Sequence, residues 1–153
     1  MKHLELKIPP VGVFLLFAAA MWLLARLTPP HAFDVTFRLG LITALLAASA
    51  VFGLGGVAHF RRAGTTVHPL RPEQSSALVT GGVYRLSRNP MYLSLLLALL
   101  ALGLGLSNLF ALAFAALFVP CMNRFQIVPE ERAMERLFGD KFAAYRARVR
   151  RWI

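Results

Sequence analysis

Two short stretches hold the side chains best able to do chemistry. The first is Val128-Pro129-Glu130-Glu131, an acidic pair that closes a long apolar run. Carboxylates in a half-buried cleft can hold a cationic ligand through its ammonium group or its ribose hydroxyls. The plainer reading is a helix start, with proline in the first turn and acids complementing the helix dipole, worth about 0.3–1 kcal/mol. The second stretch is Gly82-Val83-Tyr84-Arg85-Leu86-Ser87-Arg88-Asn89-Pro90-Met91-Tyr92. Read as a basic loop anchored by interfacial tyrosine, with proline opening the next helix, it accounts for Pro90 and Tyr92 and partly for Arg85 and Arg88. It gives no reason for Asn89. The residues alone leave both readings of both stretches open. His3, His31, His59 and His68 show no ligand spacing, and Cys121 stands alone in an apolar segment. Neither a metal site nor a disulfide framework is expected.

The elements that must position these residues are apolar. Of the 153 residues 58% are hydrophobic and only 16% charged, too few to coat a soluble domain of this size. Val11 to Leu27 contains only Arg26, while Leu39 to Ala58 and Met91 to Met122 contain no charge at all. Each of the first two runs is about one bilayer span. The third, about 32 residues or ~48 Å as one helix, is too long for a ~30 Å hydrocarbon core. Gly103, Gly105, Ser107 and Asn108 sit at its middle and predict a turn. The expectation is therefore an all-α integral membrane bundle of about four transmembrane helices, near 11–27, 35–59, 90–106 and 108–128, forming a single domain. Charge supports the count. Of 17 Lys and Arg, only Arg26 and Arg38 flank the first connection, and the other fifteen lie at the N-terminus, in the middle loop or in the C-terminal segment. Four spans put those three regions on one side, and the positive-inside rule makes it the cytoplasm, with both termini there, in the inner membrane. Three spans would split them. A signal peptide is the weaker reading of the N-terminus, because the apolar run is long and no small-residue cleavage site follows Leu27. The net charge of +10 is read as a face toward anionic lipid rather than toward nucleic acid.

The middle loop, 60–89, is punctuated by Gly64, Pro69, Pro72, Gly81 and Gly82 yet carries Leu78, Val79, Val83 and Tyr84. A loop so long and so apolar is expected to fold back, as a re-entrant cover, against the helix ends. Past Pro129, the apolar residues Met134, Phe138, Phe142, Tyr145, Val149 and Trp152 recur at steps of three and four. That spacing predicts a C-terminal amphipathic helix over 129–151, suited to a membrane interface.

The order Leu78-Val79-Thr80-Gly81-Gly82-Val83-Tyr84, then Arg88-Asn89-Pro90-Met91-Tyr92, a hairpin, Glu130-Glu131, Phe138-Gly139 and Tyr145 resembles the isoprenylcysteine carboxyl methyltransferase and phospholipid methyltransferase superfamily. The resemblance covers about half the chain. It implies methyl transfer from S-adenosylmethionine, bound on the cytoplasmic side beneath the loop and the C-terminal helix. It implies cofactor contacts from Leu78, Val79, Tyr84, Asn89, Pro90, Met91 and Tyr92, with Glu130 and Glu131 closing the pocket. Gly53 and Gly55 of Gly53-Leu54-Gly55 match a glycine pair of the phospholipid branch, although small residues in a membrane helix also serve close packing. Arg88, Glu130 and Arg124 are the candidates for the transfer itself. Two departures stand out. The prenylcysteine enzymes carry His at Asn89, and an Arg for the substrate carboxylate at Gln126, where the nearest arginine is Arg124. A glutamine lacks the bidentate charged fork a carboxylate prefers, so a lipophilic acceptor other than prenylcysteine is expected. A different class stays in view: a non-enzymatic membrane protein, either an assembly partner or a lipid-binding bundle. A transporter would call for ionisable groups inside the spans, and spans two to four have almost none.

Overall fold

The computed structural model describes residues 5–31, 34–64 and 76–153. His3, and residues 65–75 of the middle loop with His68, Pro69 and Pro72, lie outside the described residues. Every regular element among the described residues is helical.

Helix α1, Pro10–Leu27, opens on a proline and ends before Pro29-Pro30, with Thr28 Oγ1 donating back to the Leu24 carbonyl at 2.7 Å. Helix α2, Val35–Arg62, is capped by Asp34, whose carboxylate accepts the Phe37 N–H at 2.8 Å. A 3-10 turn, Gly82–Arg85, leads into helix α3, Pro90–Gly105. The chain then reverses over three residues. Ser107 takes the left-handed conformation (φ 48°), and Asn108 caps helix α4, Leu109–Ala115, by accepting the Ala111 N–H. The turn falls where the small residues place it, although the left-handed position is a serine and not a glycine. Gly103 matters differently: a Cβ there would lie 2.8 Å from Leu112 Cα, so only glycine lets the two arms of the hairpin close.

Pro120 breaks the returning arm. It offers no N–H to the Ala116 carbonyl, which instead accepts from Val119, and the chain passes from α4 to helix α5, Phe118–Met122. Pro129 would break it again. Here the helix widens into a π segment, Asn123–Ile127, and continues into helix α6, Val128–Arg148. The expected C-terminal helix over 129–151 is present as α6, joined directly to the π segment. Pro129, Glu130 and Glu131 fall in the first turn of α6, as the helix-start pattern predicts, but the chain enters α6 from the π segment without a break, and the helix ends at Arg148 with Val149 extended. Gly139, at φ 45° and ψ −121°, also kinks α6, a conformation that only glycine adopts cheaply.

Three helical stretches, Pro10–Leu27, Val35–Arg62 and Leu109–Arg148, are long and apolar enough to cross a membrane, and α3 is a shorter apolar helix of 16 residues. Leu15, Leu16, Trp22 and Leu23 on α1, and Leu39, Leu46, Val51 and Leu54 on α2, stay exposed. Apolar surface of that extent belongs in lipid. The main core joins α1, α3, α4 and α5 through Val13, Met21, Tyr92, Leu99, Ala111, Phe118 and Met122.

The bundle's two ends hold different loops. At one end the His31 N–H donates to the Ser107 carbonyl at 2.8 Å, and Asn108 Nδ2 donates to Thr28 Oγ1 and the Pro29 carbonyl. At the other, Leu6 N–H donates to the Phe125 carbonyl, and Arg88 N–H to the Arg150 carbonyl. The N-terminal segment, the loop after α2 and the C-terminal segment therefore share one end.

Candidate functional site

At that shared end a second apolar cluster fastens the loop to α6. Tyr84, Phe142 and Tyr145 are buried, with Phe60, Leu78, Val79, Val83, Met134, Phe138 and Val149 packed around them. The stepped apolar residues of the C-terminal segment thus do turn toward the loop, except Trp152. Its indole instead packs on the main core and donates to Asn123 Oδ1 at 3.0 Å. Tyr145 hydroxyl donates to the Tyr84 carbonyl at 2.7 Å, holding the 3-10 turn in place.

The two stretches singled out from sequence meet here. Tyr92, one turn into α3, donates its hydroxyl to the Glu130 carboxylate. Glu130 lies just beyond the apolar part of its helix. Burial pushes its pKa up to about 8, against the lowering effect of the Tyr92 hydrogen bond, and the neighbouring Glu131 charge adds to the rise. At neutral pH, Glu130 in this environment holds a proton. Tyr84 hydroxyl is buried within electrostatic reach of Glu130 and has no hydrogen-bond partner among the described residues. A Cβ on Gly56 of α2 would meet Met91 at 2.8 Å, Pro90 at 3.6 Å and that hydroxyl at 3.6 Å. Tyr84, Pro90, Met91, Tyr92 and Glu130 therefore form one cluster against α2.

Glu131 behaves unlike its neighbour. One oxygen accepts from Arg88 at 2.7 Å and from Arg151 Nε at 3.0 Å, while the other takes Arg151 NH2 at 2.6 Å. Burial alone would raise its pKa, but the hydrogen bonds from Arg151 and Arg88 outweigh it and leave Glu131 below the ordinary carboxylate range. The rest of the Arg88 guanidinium reaches the carbonyls of Arg146 at 3.1 Å and Val149 at 2.8 Å. Asn89 Nδ2 donates to the Arg151 carbonyl at 2.9 Å. That supplies the reason for Asn89 that the sequence lacked: together with Arg88 it straps the C-terminal residues over the start of α3. Glu131, Arg88 and Asn89 are thus engaged with the protein itself.

Other candidates sit elsewhere. Gly53 packs against Ser94 Oγ, 3.1 Å from where its Cβ would be, and Gly55 against Val83, at 3.0 Å. Both let α2 approach α3 and the loop. Arg124 faces the N-terminal segment, where its guanidinium pairs with Glu5 at 2.6 Å. Leu78 and Val79 line the apolar cluster rather than the Tyr92–Glu130 contact. Sequence reasoning missed Arg151 and Glu5. Arg151 was hidden in a run of basic residues, and nothing local singles out Glu5 among seven acids.

A helical bundle with lipid-facing surface and a tyrosine–carboxylate cluster at one end is the class this geometry defines. The family model for phospholipid methyltransferases matches residues 36–141, so the chain belongs to that family. An uncharacterized protein of Haemophilus influenzae is 48% identical over 63 residues, 41% of this chain and the whole of that protein. No solved structure matches. Family membership suggests methyltransferase activity.

Proposed function

We propose that the chain transfers a methyl group from S-adenosylmethionine to a lipophilic acceptor entering from the bilayer, at the cytoplasmic end of a four-span bundle. The observation carrying this reading is the Tyr92–Glu130 contact, which joins segments 38 residues apart beside the orphaned Tyr84 hydroxyl. The residues present fit the cofactor. A half-buried acid answers an ammonium group, and a buried hydroxyl without a partner answers a polar atom of the ligand. When bound, the cofactor supplies an electrophilic methyl group on a sulfonium.

The chain's own part is binding and orientation. Glu130 would release its proton to the medium on meeting the ligand's ammonium, and Tyr92 would keep the resulting carboxylate aimed. Tyr84 is held by Tyr145 and Phe60, so its hydroxyl is fixed before a ligand arrives. The Glu131–Arg88–Arg151 clasp fixes the backbone on both sides of the cluster. Methyl transfer is an in-line displacement, for which holding the acceptor ~3–3.5 Å from the methyl carbon supplies several kcal/mol without a catalytic base. The test is label transfer. Membranes containing the chain, given S-adenosylmethionine labelled in its methyl group, should place label in the lipid extract, and Glu130→Ala should lose it. Label in neither the lipid extract nor added thiol acceptors would contradict the reading.

A further inference from the structure

On α6 the residues following the π segment fall into two opposite sets. Glu130, Glu131, Met134 and Phe138 turn toward the loop and α3, whereas Pro129, Arg132, Ala133 and Arg136 turn the other way. The second set, with Glu5 and Leu6, lines a cavity of about 220 Å³. Its occupant from within the chain is a single carboxylate: Glu5 takes Arg124 on one oxygen at 2.6 Å and Arg132 on the other at 2.8 Å. Arg136, one turn beyond Arg132, lines the same cavity and has no partner among the described residues. Two guanidiniums thus hold one carboxylate and a third lines the cavity beside them, an excess of positive charge in a partly enclosed space.

We propose that this cavity is a binding site for a phosphate group, separate from the Tyr92–Glu130 cluster, and that the Glu5 carboxylate is its internal placeholder. Guanidinium forks match phosphate oxygens bidentately, and a dianion balances three arginines better than one carboxylate does. The segment bearing Glu5 is tied on by two hydrogen bonds beside the cavity. Leu6 N–H takes the Phe125 carbonyl, which the N–H-less Pro129 cannot use, and Gln126 Nε2 donates to the Ile8 carbonyl at 2.6 Å. Those bonds keep the segment in place when Glu5 yields its arginines, so an incoming phosphate displaces a side chain and not the strap. The site lies where the apolar part of the helix gives way to charge, which suits a lipid headgroup. Free phosphate offers the same chemistry.

The test is calorimetric titration of the detergent-purified full chain with inorganic phosphate, with dihexanoyl phosphatidic acid and with dihexanoyl phosphatidylcholine as the zwitterionic control. Saturable binding of phosphatidic acid alone identifies a lipid headgroup, and saturable binding of inorganic phosphate as well identifies free phosphate as sufficient. Glu5→Gln, which removes the competing charge, should tighten binding about fivefold. Arg136→Gln, which breaks no ion pair or hydrogen bond among the described residues, should weaken it by a similar factor while leaving S-adenosylmethionine binding unchanged. No saturable heat from either phosphate probe, or an unchanged affinity in Arg136→Gln, overturns the site. An affinity in Glu5→Gln no tighter than in the native chain overturns the placeholder role.

Discussion

At the scale of single residues, the adjacent acids Glu130 and Glu131 are driven apart by their surroundings. Glu131 is neutralised by two arginines, whereas Glu130 has only a neutral phenol among the described residues and has its pKa pushed up to about 8. A cationic ligand needs the ionised form. Because that fraction grows as pH rises toward 8, affinity for S-adenosylhomocysteine, which keeps the ammonium group, should rise about tenfold per unit between pH 6 and pH 7.5. Titrations at several pH values check this, and Glu130→Gln should flatten the profile. The same shift acts on stability with a definite sign. The folded state holds the Glu130 proton more tightly than the unfolded chain does, so the associated stabilisation is present at low pH and is lost as pH climbs from 4.5 toward 8. Glu130→Gln should therefore gain on the native chain in thermal melts at pH 9 and not at pH 4. Glu131→Ala should do the reverse of a mild change. It strands Arg88, which is nearly buried, beside the partly exposed Arg151, at a cost of about 2–3 kcal/mol, less than for a fully buried pair. A drop in melting temperature, with the binding profile moved only slightly toward lower pH as the Glu131 charge is lost, would mark it as a clasp. The sequence marked both acids but could not separate them, since the arginine that decides the matter lies 20 residues on, in a tail read as generic basic charge.

Among the elements, the hairpin of α3 and α4 shows how position decides the role of a glycine. Gly103 faces the Leu112 backbone and Gly105 faces nothing within 4 Å. Gly103→Ala should cost about 1–3 kcal/mol through forced separation of the arms. Gly105→Ala should be neutral or stabilising by up to about 1 kcal/mol, as helix propensity alone dictates. Thermal unfolding of the two variants in one detergent compares them directly. The turn itself was legible, because small polar residues at the centre of an over-long apolar run admit few alternatives. The continuity through Pro129 was not. A proline followed by two acids is the ordinary mark of a helix start, and the π segment that absorbs it depends on Leu6, more than a hundred residues away, donating its N–H to the spare Phe125 carbonyl. The kink at Gly139 was likewise invisible, since the apolar spacing on either side fits a straight helix.

For the molecule as a whole, the loops joining α1 to α2 and α3 to α4 lie at one end with Arg26, Asp34 and Arg38, and most of the other described charged residues lie at the opposite end. Apolar runs and basic residues, read against bilayer thickness, indicated that arrangement, and the hydrogen bonds from His31 to Ser107 and from Arg88 to Arg150 fit it. The ion pairs were beyond sequence reading, because a salt bridge such as Glu5–Arg124 has no local pattern. In intact inner-membrane vesicles, cysteines introduced at Arg38 and at Arg150, with Cys121 replaced by alanine, should label with an impermeant maleimide from opposite sides. The claim on which everything else rests is that Tyr92 and Glu130 form the ligand-holding centre, and calorimetric titration of the detergent-purified chain with S-adenosylmethionine tests it most directly. The native chain should show saturable binding, weakened by Tyr92→Phe and abolished by Glu130→Ala, with both variants still folded. Heat indistinguishable from buffer dilution in the native chain, or equal affinity in Glu130→Ala, would contradict it.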